Sequence, residues 1–200
     1  MRKRNLSLLL IALLTIGYFS CERDDICPGS TPTTPRIIIK FLDANDEEST
    51  KIVSNLVVIG VDESFNLPNP INVGNEHILP EYNLPVNVDN PTRIDSVFLP
   101  LRTDLDKTQY ILISQAGIND NGTAEDASDD YISGNYDTIT LDYSREEVFV
   151  SRACGYKTIF KNVILSLEDS DPDMWIQSRK TLTDNQSVED ETASHFALSH

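Results

Sequence analysis

Six oxygen-bearing side chains crowd one short stretch of the chain, GINDNGTAEDASDDYISGN. Asp120, Asn121, Glu125, Asp126, Asp129 and Asp130 are hard donors of the kind Ca²⁺ takes six to eight of, and Gly122 permits a tight turn that could gather them. The spacing does not fit an EF-hand loop, so two readings stand: a weak calcium site or a solvated hairpin loop. Other chemistry is harder to find. Glu191 and His195 stand four apart and would share a helix face, but a lone acid and histidine read as a surface pair. Trp175 in DPDMWIQ reads as a core or edge anchor rather than a sugar platform. No G-x-S-x-G, G-x-x-x-x-G-K-[ST], H-E-x-x-H or G-x-G-x-x-G occurs, so no catalytic residue is assigned and no enzymatic activity is expected.

The three cysteines carry the remaining chemistry. Arg2, Lys3 and Arg4 precede an apolar run from Leu6 to Ile16, and the sequence turns polar at Glu22. That is the pattern of a secretory leader over residues 1–20, too short for a comfortable transmembrane helix of about 20 apolar residues. The leader ends Tyr18-Phe19-Ser20-Cys21, which resembles the lipobox of bacterial lipoproteins, with Tyr18 where an aliphatic residue is usual. The resemblance implies a diacylglycerol thioether on Cys21 and a lipid-anchored mature protein. Buried methylenes contribute about 0.8 kcal/mol each, so two or three acyl chains hold firmly where one does not. Behind it, Arg23-Asp24-Asp25 looks like the signal that sends lipoproteins of Bacteroidota to the outer face of the outer membrane, which favours the cell surface over the periplasmic face.

Assigning Cys21 to lipid leaves Cys27 and Cys154 as an even pair in an oxidising compartment. A disulfide between them is expected. Two free thiols or a metal site are the alternatives, but no CxxC is present and His77, His195 and His200 are not spaced around the cysteines.

Net charge excludes one class of partner. The chain carries 16 basic and 32 acidic residues, and removing the leader leaves 13 bases against the same 32 acids, a formal charge of −19. Nucleic acid is bound by clustered Lys and Arg, so it is not expected as a partner. The same charge opposes purely electrostatic docking on anionic lipid and serves solubility.

The elements that must position these residues read as strands. Residues 21–35, with three prolines, form an extended tether, and a single domain is expected over 36–200. RIIIKFLD and KIVSNLVVIGVD are rich in β-branched residues, the second apolar enough for burial on both faces. Further strands are expected at 95–102, 108–115, 137–144, 147–154 and 156–168; Val97, Leu99 and Leu101 share a face, as do Ile139, Leu141 and Tyr143. SVEDETASHFALSH fits a short helix or a last strand. Seven or so short strands predict an all-β fold, an antiparallel β-sandwich, immunoglobulin-like or similar, with a partly open barrel as the alternative. Two long connections, 62–93 with five prolines and 116–136, interrupt the strands and are functional or disordered on length alone.

The stretches CERDDICPGSTPTTPRIIIKF, NDNGTAEDASDD, REEVFVSRACGYKTIFKNV and NQSVEDETASHF together resemble an uncharacterised family of Bacteroidota envelope lipoproteins with a domain of unknown function. The resemblance implies an envelope protein with no assigned activity. The expectation for function is therefore a membrane-anchored, non-enzymatic binding or assembly module, meeting an envelope protein or a glycan, or alternatively a carbohydrate-binding or glycan-processing accessory protein.

Overall fold

The computed structural model describes residues 26–31, 33–62, 71–83, 93–123, 125–168 and 172–200. The expected leader over residues 1–20 and Cys21 lie outside the described residues, as do 63–70 and 84–92 of the proline-rich connection. Among the described residues twelve strands follow in order: β1 Ile37–Asp43, β2 Asp46–Thr50, β3 Val53–Ser54, β4 Val57–Val61, β5 Ile71–Asn72, β6 Arg93–Ile94, β7 Ser96–Leu99, β8 Lys107–Asn119, β9 Tyr131–Ser151, β10 Gly155–Leu167, β11 Ser178–Thr181 and β12 Phe196–Ser199. Among the same residues the single helical element is a 3-10 turn at Pro80–Tyr82, and no helix is long and apolar enough to cross a membrane.

The chain divides into two compact units, a large one of Thr34–Glu147 with Thr158–His200 and a small one in which the described residues up to Thr33 join Val148–Lys157. In the large unit, one five-stranded sheet runs β11-β12-β1-β2, with β7 also on β1. The second runs β10-β9-β8-β4, with β5 on β9. β1 pairs antiparallel with β2 and β7, and β4–β8, β8–β9, β5–β9 and β11–β12 are antiparallel, while β1 and β12 run parallel with Ile39 opposite Phe196. The main core draws Ile37, Ile39 and Phe41 of β1, Leu99 of β7 and Leu198 of β12 from one sheet, and Leu112, Ile139, Leu141 and Phe160 from the other. Two sheets sharing one apolar layer make a β-sandwich, and no closed barrel forms among the described strands.

Burial explains why β4 and β8 read as continuous apolar runs. Val58, Tyr110 and Leu112 face the main core, while Val57, Ile59, Ile111 and Ile113 join a second cluster with Ile71, Ile78 and Ile132. The described part of the proline-rich connection is thus a cover for the second sheet. Leu79 N–H donates to Val58 O at 2.9 Å and Gly60 N–H to His77 O at 2.9 Å, closing the free edge of β4. Tyr82 is buried, and its hydroxyl accepts from Phe98 N–H at 2.7 Å.

The expected connection at 116–136 is shorter than the sequence suggests. β8 and β9 stay paired out to Asn119 and Tyr131 past a bulge between Ser114 and Gly117, leaving only 120–130 as loop. The expected strands 137–144 and 147–154 are likewise parts of one strand, β9. Gly134 makes the bulge possible: at φ +155°, an added Cβ would lie 2.6 Å from Ile113 Cγ2 and 2.8 Å from Ser114 O. Backbone oxygen cannot step aside as a side chain can. Gly134→Ala is therefore expected to cost about 1–3 kcal/mol in urea unfolding. Gly117→Ala, whose Cβ would meet only Ser133 Oγ at 3.5 Å, should be tolerated; equal losses would refute this account of the bulge.

Candidate functional site

Asp120, Asp126 and Asp129 spend their carboxylates on the 120–130 loop itself. Asp120 Oδ1 accepts from Gly122 N–H at 3.0 Å, and Asp129 accepts from the Thr123 hydroxyl at 2.7 Å and from Asn121 Nδ2 at 3.2 Å. Asp126 accepts from the Ser128 hydroxyl and N–H, bonds that hold its carboxyl below the usual range. Glu125 is exposed, and Asp130 uses its backbone carbonyl to receive Val73 N–H at 3.2 Å. Among the described residues no group of three or more His, Cys, Asp or Glu side chains converges as a metal site would. These hydrogen bonds shape the described part of the loop as a series of local turns. Millimolar calcium is therefore expected to leave the melting temperature unchanged in a thermal scan; a rise that saturates with calcium would contradict this reading.

The histidine and acid near the C-terminus do not share a helix face, because the chain there is extended. Glu191 forms a fork with Arg36, Nε to Oε1 at 2.9 Å and Nη2 to Oε2 at 2.8 Å, and also accepts Arg36 N–H at 2.9 Å. His195 is 4% exposed and sits under β1, where Nδ1 accepts Ile38 N–H at 3.0 Å and its backbone N–H returns to Ile38 O at 2.8 Å. Burial pushes the His195 imidazole below its ordinary value, against the opposing pull of Asp190 and Glu191. Burial does the same to His200. A base whose folded value is depressed binds its proton more readily in the unfolded chain, so its stabilising effect is complete above about pH 6.5 and shrinks as pH falls. Stability should therefore decline between about pH 6.5 and 5, before the carboxylates protonate. His195→Gln, which keeps an acceptor for Ile38, should flatten part of that decline in urea titrations; an unaltered slope would show that His195 does not drive it.

Trp175 is partly buried rather than displayed. Its indole N–H donates to Leu112 O at 3.3 Å and its ring packs at 6.0 Å from Phe41 and 5.4 Å from His200. Cys27 and Cys154 are joined by a disulfide, with Cα atoms 4.9 Å apart, both within the small unit.

A cleft that no motif announces lies at one end of the second sheet. Its volume is about 360 Å³, and its walls are Val61 and Asp62 at the end of β4, Leu105 and Asp106 of the turn before β8, Lys107 and Gln109 of β8, and Asp142 of β9 with Arg102. A shallower extension reaches His77, Leu79 and Tyr110. The turn that forms it is fixed from both sides. Arg102 N–H donates to Thr108 Oγ1 at 2.9 Å, and Arg102 O receives the Tyr143 hydroxyl at 2.9 Å. The Arg102 guanidinium closes a fork on Asp104, 3.0 and 2.6 Å, whose hydrogen bonds push that carboxyl down to about 2. Arg145 Nε reaches Asp106 Oδ1 at 2.7 Å, bracing the far side. Sequence reasoning passed over this place because the TDLDK turn looks like any charged connection. The register that sets Lys107 opposite Asp142 is what brings the charges together.

The cleft offers apolar walls, Val61 and Leu105, beneath a rim of both charge signs. Residues 80–200, more than half of the chain, match a family described as a family of unknown function (DUF6452). Neither a curated protein nor a solved structure matches.

Proposed function

We propose, from the premise that this chain belongs to the family of unknown function (DUF6452), that it is a lipid-anchored protein of the bacterial envelope acting as a non-enzymatic binding or assembly module. Acyl chains on Cys21 would hold it to the outer membrane, with Arg23-Asp24-Asp25 favouring the cell surface. The reading is carried by one observation, the preformed cleft whose turn is latched by Arg102 on Asp104 and Arg145 on Asp106. A preformed cleft with a charged rim loses little entropy on binding and selects partners by charge pattern. An envelope protein segment with paired charges fits it better than a sugar does. Stacking on a glycan calls for a free aromatic face, whereas the described walls of the cleft are aliphatic, charged or amide side chains and Trp175 is committed to Phe41, His200 and Leu112.

A photo-crosslinking residue in place of Leu105 tests this in cells. One discrete protein adduct is expected, and it should disappear in the Arg102→Ala/Lys107→Ala background. Lys107 is exposed and Arg102 half-buried in its fork on Asp104, so the melting temperature of the double variant should fall by no more than about 4 °C. An adduct that persists in the double variant, or a smear equal to that from a residue placed on the exposed strand β2, would refute the cleft as the recognition surface. Saturable capture of a glycan lost in the same variant would turn the assignment to carbohydrate.

A further inference from the structure

The turn between β9 and β10 displays apolar surface that nothing among the described residues covers. Phe149 is 57% exposed and Tyr156 66%, and their rings stand 5.4 Å apart. Ile26, next to the bridged Cys27, is 80% exposed. The stretch Val148–Lys157 also contains Arg152 and Lys157 and no acid, in a chain whose net charge is −16. An apolar ring and a tyrosine with its polar hydroxyl, beside basic side chains, are the composition of segments that settle at a membrane–water interface.

The disulfide gives this composition a location. Cys154, in the same turn, is bonded to Cys27, six residues beyond Cys21. Six residues span at most about 20 Å fully extended. With Cys21 at the bilayer, the hairpin turn stays within about 20 Å of the membrane surface.

We propose that this turn docks on the phospholipid surface that carries the anchor, with Phe149 and Tyr156 in the interfacial zone and Arg152 and Lys157 reaching lipid phosphates. The inference rests on the lipid-anchor reading of Cys21. It does not conflict with the acidic charge of the whole chain, because the tether supplies the local concentration that charge attraction would otherwise have to supply. The contact belongs to an acid-free turn whose neighbours in sequence are held close covalently.

The test uses the lipoprotein purified from membranes as Phe149→Trp and reconstituted into phosphatidylcholine vesicles with brominated acyl chains. The added emission should be blue-shifted and quenched at least about twofold relative to unbrominated vesicles, with the wild-type protein supplying the Trp175 background. Mass spectrometry of the same sample reads the state of Cys21. An acylated Cys21 with the added indole emission unquenched overturns the docked turn and leaves the anchor standing. An unacylated Cys21 overturns the anchor and the docked turn together.

Discussion

Phe160→Ala is expected to lower the unfolding free energy by about 3–5 kcal/mol, the range for an aromatic removed from a closed core. Phe160 has no exposed surface, and its ring meets Tyr143 edge-on at 5.0 Å. Its backbone is held to Val188 in both directions, at 3.0 and 2.8 Å. The site cannot close over the lost ring, because Tyr143 is itself fixed by the Thr108 hydroxyl at 2.6 Å and the Arg102 carbonyl at 2.9 Å. The void should therefore persist, and the cost should fall toward the upper end. For a chain of this size the melting temperature would drop by about 6–20 °C. Phe149→Ala, at an exposed site, should change stability by less than about 0.5 kcal/mol. Equal effects of the two substitutions in urea unfolding would contradict the assignment of one ring to the core and the other to the surface.

Removing the disulfide with Cys27→Ser/Cys154→Ser should cost about 2–3 kcal/mol, less than the roughly 4–5 kcal/mol of simple loop closure. The separation of 127 residues sets the larger figure, since the bridge restrains nearly the whole domain in the unfolded chain. The folded chain, however, is fastened again at Thr34, whose hydroxyl receives Thr158 N–H at 3.0 Å. Only the residues from 27 to 34 gain freedom when the bridge is cut in the native state. The net effect is the difference between closing the long loop and closing that short one, about 2–3 kcal/mol. In melting temperature this is a fall of about 5–10 °C, readable as the difference between oxidised and reduced wild type. A change below about 1 °C would mean that the unfolded chain already holds these ends together.

The parts of the fold that could be read from the sequence are those where local preference and tertiary need coincide. Ile37, Ile38 and Ile39 announce a strand, and all three are buried in β1, to which β12, β7 and β2 pair. The alternation of Ile139, Leu141 and Tyr143 points all three into the core. The pairing of Cys27 with Cys154 follows from parity once Cys21 is set aside. The rest depends on distant partners. SGNY and SREE look like turns, but pairing to β8 carries β9 straight through the first, and the second continues the same strand. Ile71, Ile78 and Tyr82 show no period among their prolines, so their role as a cover was invisible. His195 reads as a surface residue until β12 aligns beside β1 and seats its ring on Ile38. The cleft is the least legible feature, because Asp62, Arg102 and Asp142 become neighbours only through the β4–β8–β9 register.

The proposed anchor, the proposed docking of the β9–β10 turn and the proposed display of the cleft in the envelope all depend on lipid at Cys21. Mass spectrometry of the N-terminal peptide from the membrane-purified protein tests that residue most directly. A peptide that begins at Cys21 and carries diacylglycerol with an added acyl chain is the predicted result. A peptide that retains the leader, or begins elsewhere with an unmodified Cys21, would contradict the lipid anchor and what rests on it.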